Sequence, residues 1–568
     1  MEKKEDKPIV RDLRSLQREL RNLSGRDIMA RILDHENPME LVRGLPSEDF
    51  YWMIKKVGEE DCLPLLQLAS DEQWQYVLDL EIWIKDRLDI KTTSQWLKRL
   101  QEADCRRLVR WLTSEGEFLA FTYFFRTLDV IIAGDKDEVY DIPEGYFTLD
   151  GEIYQRVRLQ EFRDSLETIL RTLAATDLER YQALLIGLSG VLPAETEEEM
   201  YRRRNVRLAE HGFLPYEEAV SLYAPLEPER LVPESSQAHP EVPEPEEEVG
   251  ALVPLSPFQH AGGENIFLTA AGGVQDPVFL DRLTLEFAGL CNQLVSADSL
   301  LVRDIDVLVK TCRKAAGYVN LALEKLCGKD LRKAREVLKN HSLVALFRVG
   351  FGLALKLKWE AERWFKGSWF IRQDLDLPFW GEPWSGILKG LLARRPEYYT
   401  VDGGEEEYRG FEWLSELGES MAALRHMMVL DGLLERLSER HPIEGYILKS
   451  PEFTFHPLLF NLWGRSILGL TPSFAGMTLK QVKALFGELR DSKAAPPYTM
   501  EEGGKRFIEY FMAYATDSPP DVRLLLREAL AWVWKEFQEE YAWVSLGDLD
   551  GRFLRHIKVV PESERVKE

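Results

Sequence analysis

The residues whose types and spacing could do chemistry lie on one helical stretch, residues 342–365. At about 100° per residue, Arg348, Gly352, Lys356, Trp359 and Arg363 fall on one narrow stripe of that helix. Guanidinium and ammonium groups beside an indole can hold an anion or a partner's carboxylates. Arg348, Lys356, Trp359 and Arg363 are therefore the candidate ligand-binding set. The same pattern suits the one solvated edge of a buried helix, with Glu362 nearby to neutralise it. Five of the fifteen tryptophans, Trp359, Trp364, Trp369, Trp380 and Trp384, fall within 26 residues. Such rings grip sugars, nucleobases or partner proteins, and they equally fill irregular cores.

A second candidate set is acidic. Glu48, Asp49, Glu59, Glu60, Asp61, Asp71 and Glu72 recur at the turns between short helices. Carboxylates are hard oxygen ligands, so an acidic face that Mg²⁺ neutralises is one reading. The competing one is that each acid complements the positive end of a helix.

Other chemistry is not legible. The nine histidines are dispersed, with His426, His441 and His456 spaced by 15 and no HExxH. No Walker loop and no GxSxG elbow occurs. Gly350-Phe351-Gly352 lies inside a helical run without a preceding strand, which makes it a packing feature. No residue pattern points to catalysis, and Mg²⁺ is the one cofactor that the acidic turns would suit.

The elements that would position these residues begin with a repeat. The breaks Leu45-Pro46-Ser47-Glu48-Asp49, Val57-Gly58-Glu59-Glu60-Asp61 and Ala69-Ser70-Asp71-Glu72-Gln73 are each displaced by 12 residues. The register blurs around Trp83 to Thr93, then returns at Leu100 to Asp104 and Leu112 to Glu115. Each unit is a short helix plus a turn, and two units make one hairpin that must bury its apolar face on its neighbours. Ser70 to Gln73 is a capping box and Ser47 a further N-cap. Before the repeat, residues 8–34 form one or two amphipathic helices, the first ending at Ser24-Gly25.

After Phe125 a small hairpin is expected over Val139–Ile142 and Tyr146–Tyr154, turning at Asp150-Gly151. Helices follow over 155–172 and 178–186, then over 195–209, where Arg202 to Arg204 can pair with the preceding glutamates. A glycine stop and a short helix opened by Pro215 come next. Prolines 225, 228, 233, 240, 243 and 245 alternate with glutamates in a stretch read as an extended linker. Helices resume near 280–294, 305–326, 342–365, 413–437, 479–489, 505–515 and 521–541. The expected fold is mainly α: N-terminal helices (1–38), a short-helix superhelical repeat (39–135), a hairpin with helices (136–224), the linker (225–265) and a Trp-rich helical domain (266–568).

With 568 residues and a formal charge of −24, the chain has room for several cores, and its acidic balance disfavours binding to duplex nucleic acid, which needs net basic surface. Its polar N-terminus shows no signal core, and its most apolar run, 343–357, contains Arg348 and Lys356 and is too short to span a bilayer. A cytoplasmic protein is expected. The five cysteines form no CxxC and read as reduced, mostly buried thiols.

Glu40-Leu-Val-Arg-Gly-Leu-Pro46-Ser-Glu-Asp-Phe50, with the acidic turns at 59–61 and 70–72, resembles the intracellular helical domain of MgtE-type magnesium transporters. It resembles more distantly the armadillo-like modules of flagellar motor switch proteins. In the transporters that domain gates a pore through CBS domains, and neither a CBS pattern nor a span follows here. Residues 197–213 and 347–359 are similar to an uncharacterised family of bacterial proteins of this length, a resemblance that brings no established function and no assigned catalytic residues. The expected function is an interaction scaffold with a protein partner. Mg²⁺ sensing through the acidic turns, and an enzyme or anion-binding cleft around residues 342–365, are the alternatives.

Overall fold

The computed structural model describes residues 8–19, 22–133, 143–188, 193–232, 253–274, 276–300, 302, 304–400, 406–443, 445–448, 453–490 and 496–561. It is mainly α-helical with a few short strands. The chain divides into two compact units, Met1–Phe351 and Gly352–Glu568, and the division falls within the helix Leu343–Gly367.

In the first unit the sequence period resolves into helices α1 (Pro8–Glu19), α2 (Gly25–Leu33), α3 (Pro38–Arg43), α4 (Ser47–Val57), α5 (Leu63–Leu68), α6 (Asp71–Glu81), α7 (Ile90–Leu112) and α8 (Glu117–Thr127). α3 and α5 have 6 residues each and α4 and α6 have 11, so the structural unit is a short helix followed by a long one. α1 packs on α3, α3 on α5 and α5 on α7, while α2 packs on α4 and α4 on α6. Helices of this length bury too little area within one hairpin, so each leans on the next hairpin.

The boundaries follow local chemistry. Prolines occupy the first turns of α3 and α5, where no backbone N–H is needed. Ser70 and Gln73 form the expected capping box. Gln73 Nε2 also donates to the carbonyls of Val42 (2.9 Å) and Leu45 (3.0 Å), tying α6 to the end of α3. Ser47, expected as an N-cap, is instead the first residue of α4, behind Pro46. Ser24 opens α2, its hydroxyl accepting from the Asp27 N–H at 3.2 Å. The blurred register at residue 83 is an inserted ribbon of β1 (Trp83–Ile84) and β2 (Arg87–Leu88), turned at Lys85 with φ +59°. The expected break near residue 104 is a kink within α7, where Asp104 leaves helical geometry and accepts from the Arg107 N–H at 3.0 Å.

A three-stranded antiparallel sheet follows, with β3 (Leu128–Ile132), β4 (Phe147–Thr148) and β5 (Ile153–Val157) in the order β3-β5-β4. Gly151 at φ +81° makes the foreseen turn, and Asp150 Oδ1 accepts from the N–H groups of Glu152 and Ile153 at 3.0 and 2.9 Å. The strand expected at Val139–Ile142 lies outside the described residues. β3 was not expected, and the helix expected from Gln155 begins only at Arg163. Gln155 sits in β5, buried, and accepts from the Tyr181 hydroxyl at 2.8 Å. Pro193–Glu210 and the short helix Tyr216–Ala219 stand where expected.

The compact units do not part at the Pro/Glu stretch. Its flank at 253–265 belongs to the first unit through Asp49 on α4, which is 0% exposed. Asp49 accepts from Gln17 Nε2 (2.7 Å), the Ser256 N–H (2.9 Å) and the Leu255 N–H (3.2 Å). Burial raises its carboxyl above the usual range, against the pull of these hydrogen bonds. Helices Pro277–Asp298 and Ile305–Cys327 complete this unit. The second unit contains Trp384–Leu392, Leu414–Arg440, His456–Ile467, Leu479–Leu489, Glu501–Met512 and Pro520–Tyr541. Trp384–Leu392 and His456–Ile467 had no expected counterpart. Near the C-terminus Val559–Val560 pairs in parallel with Met477–Thr478. All five cysteines are free thiols, four buried and Cys105 half-exposed. Among the described residues no helix is long and apolar enough to cross a membrane.

A Cβ at Gly350 would stand 1.8 Å from the backbone oxygen of Tyr318, so Gly350→Ala should lower stability by about 3 kcal/mol in a urea titration. His211 Nδ1 lies 2.7 Å from Glu48 Oε1. Burial pulls the His211 pKa down, but Glu48, with Glu210 and Asp79, outweighs it, and the net value lies above the ordinary 6.5. The pair's contribution is thus complete below 6.5 and lost as pH rises through the elevated value. The urea midpoint of the wild type should fall between about pH 6 and about pH 8, and in Glu48→Gln this fall should shrink.

Candidate functional site

Three of the four basic-stripe residues do come together. Lys356, Trp359 and Arg363 of the helix Leu343–Gly367, with Glu360, Trp364 and Met428, line an open depression of about 490 Å³ in the second unit. The spacing 356, 359/360, 363/364 is one helical face over two turns, and Met428 on Leu414–Arg440 supplies the far wall. Trp359 is 44% exposed. Arg363 is exposed and makes no ion pair among the described residues. Glu360 sits 4.0 Å from Arg425. Glu362 does not serve the stripe, since it pairs with Lys358 at 2.8 Å.

Arg348 belongs to the first unit. Its Nε donates to the Ala224 carbonyl at 2.9 Å, and its own carbonyl accepts from the Leu226 N–H at 3.3 Å. It is a clamp on the chain after the helix Tyr216–Ala219.

The tryptophans separate by depth. Trp369, Trp380 and Trp384 are buried. Trp380 lies 5.5 Å from the Phe455 ring, and Trp384 stacks on Trp532 at 4.3 Å. Trp364 is intermediate: one side meets Trp380 at 5.8 Å, and its Nε1 donates to Asp431 at 3.3 Å. Asp431 also accepts from the N–H groups of Trp369 (2.8 Å) and Phe370 (3.0 Å). Burial raises the Asp431 carboxyl, while these donors work the other way.

The seven acids of the turns are dispersed in role. Glu48 and Asp49 are buried and hold His211 and the 255–256 backbone. Glu59 pairs with Lys55 (2.8 Å) and Arg99 (3.3 Å), Glu60 with Arg99 (3.1 Å), and Asp71 with Arg107 (2.5 Å). Asp61 and Glu72 are exposed. Among the described residues, no three of the seven come within ligand distance of one another.

The group that does is one the sequence left apart. His456, Glu536 and His556 each offer a ligand atom, all within 4.8 Å. His456 opens the helix His456–Ile467, Glu536 sits on Pro520–Tyr541, and His556 follows the turn Gly551–Phe553. His456 Nε2 is 3.2 Å from Glu536 Oε2, and its Nδ1 is 3.3 Å from the Thr454 hydroxyl. His556 Nδ1 is 3.2 Å from the Tyr541 hydroxyl, and its Nε2 is buried without a hydrogen-bond partner among the described residues. Burial, then the neighbouring His456 and Arg555, push the His556 pKa down to about 2. Sequence separations of 80 and 20 residues carry no ligand-spacing signal, which is why the set was missed.

Over residues 6–559 the sequence matches the family described as "Family of unknown function (DUF6178)". The chain belongs to that family. No curated protein and no solved structure matches it. The likeness of the N-terminal turns to the transporter domain therefore rests on the quoted residues alone.

The depression is thus a shallow cationic and aromatic surface over a rigid aromatic core, with Asp431 joining the two. Replacing Asp431 with alanine would strand the Trp369 and Phe370 N–H groups and the Trp364 indole. The expected cost is about 2 kcal/mol in a denaturant titration, with a red-shifted tryptophan emission as Trp364 loosens.

Proposed function

We infer that this protein is a helical-repeat interaction scaffold working in the cytoplasm, with no catalytic step of its own. In this reading the two rows of short helices in the first unit are a superhelical platform. The depression in the second unit is the surface where a partner's acidic, apolar-flanked segment lies. The observation that carries the reading is Trp359, 44% exposed on the same two turns as Lys356 and Arg363. An indole is seldom left in water, and rings flanked by cations are the usual anchors of protein recognition sites. The openness of the depression suits a chain segment, whereas a small-molecule substrate is usually enclosed on most sides. No nucleophile with a base beside it lines the depression.

Selection of random twelve-residue peptides on the immobilised full chain tests this. Enriched peptides should carry Asp or Glu beside an aromatic or aliphatic residue. Their affinity should fall at least tenfold on Lys356→Glu/Arg363→Glu and on Trp359→Ala, with the melting temperature unchanged. Enrichment that ignores both changes would remove the depression as the binding surface.

A further inference from the structure

We propose that His456, Glu536 and His556 form a binding site for a single divalent transition-metal ion of the Zn²⁺ class. The three residues come from separate elements, and their ligand atoms converge within 4.8 Å. Two imidazoles and one carboxylate are a donor set that first-row divalent ions select over Mg²⁺ or Ca²⁺, which prefer oxygen alone.

The decisive observation is the nitrogen without a partner. His556 is 3% exposed, and its Nε2 meets no donor or acceptor among the described residues. A buried polar atom left unpaired costs about 1–3 kcal/mol. Here that atom is on the ring that joins the other imidazole and the carboxylate in the cluster. Its opposite nitrogen, Nδ1, is held by the Tyr541 hydroxyl at 3.2 Å, and the His556 backbone N–H donates to the same oxygen at 3.3 Å. His456 is supported likewise, its Nδ1 facing Thr454 while Nε2 faces Glu536. An outer hydrogen bond on one ring nitrogen that aims the other inward is how metal-binding histidines are oriented.

The geometry is close to what an ion needs. Bonds of about 2.0–2.2 Å in tetrahedral arrangement place donors roughly 3.4 Å apart. His456 Nε2 and Glu536 Oε2 are already at 3.2 Å, so the His556 ring has the remaining movement to make. The rings are packed in aromatic walls: Phe455 lies 4.0 Å from His456, and Phe537 lies 5.7 Å from His556. Glu536 is the half-exposed member and gives the ion its route from solvent. The ion would also fasten residues 556–560 to the helix Pro520–Tyr541.

The full chain, stripped with a chelator and titrated with Co²⁺ and then Zn²⁺, tests the proposal. The wild type should take up one Co²⁺ per chain with visible absorption of a low-coordinate site. Zn²⁺ should displace it, and the melting temperature should rise when either ion is bound. Glu536→Gln and His556→Gln should each weaken uptake at least tenfold. Glu536 is half-exposed, so Glu536→Gln decides the matter if His556→Gln fails to fold. Absence of stoichiometric uptake by the wild type, or uptake undiminished in folded Glu536→Gln, overturns the site.

Discussion

Buried carboxylates that accept backbone N–H groups from distant segments are the constraint on which both units depend. A carboxylate out of water costs several kcal/mol unless its lone pairs are filled. The first N–H groups of any helix have no intrahelical acceptor. Joining the two needs solves both. Asp49 does it for residues 255–256, and Asp431 does it for residues 369–370. Asp49 reaches more than 200 residues along the chain. Gln17 and Gln259 close the same junction, through the Val253 and Gln17 carbonyls, and a short helix that would fray alone receives an end that stays put.

The same constraint organises the depression. Asp431 fixes the start of Trp369–Arg372 and the indole of Trp364 together. Below it, Trp380, Trp384 and Phe455 pack tilted or stacked, leaving little freedom to relax. The rigidity explains why one helix can carry both a core face and a wet one: Ala354, Leu357 and Ala361 are buried while Lys356, Trp359 and Arg363 are exposed. Lys358 is the informative exception. Its stem is buried, and its ammonium finds the Ala393 carbonyl at 2.7 Å and Glu362 at 2.8 Å. A cation that meets the core is satisfied internally, whereas the stripe cations face outward.

Helical periodicity made most of the long helices legible, and Leu479–Leu489 falls where its pattern placed it. The dozen-residue period of the N-terminal turns was equally readable, because each break needs a proline, glycine or capping residue. What the period concealed was the alternation of 6- and 11-residue helices, since breaks mark turns and say little about which helix is long. The ribbon at residues 83–88 was invisible because two-residue strands have no alternation to read. The basic stripe was visible as a face, but a face does not say which of its members a neighbouring segment will claim. Arg348 was claimed by the Ala224 carbonyl. The acids at the turns show the same limit: Glu48 and Glu60 hold the same place in the repeat, yet one is buried against His211 and the other sits at the surface on Arg99.

The C-terminal segment shows the last step that sequence alone does not supply. Residues 556–560 are tied down by Asn461, which accepts from the Lys558 N–H at 3.1 Å and donates to the Lys558 carbonyl at 3.4 Å, and by the short parallel pairing of Val559–Val560. These bonds already fix the backbone, so they do not require an imidazole at 556. The surrounding rings, Phe460, Phe537 and Tyr541, would pack a leucine or phenylalanine without leaving any nitrogen unmet. A histidine in that position adds a polar penalty that packing does not offset. The side chains placed to offset it are His456 and Glu536, already 3.2 Å apart, and a shared cation would join all three.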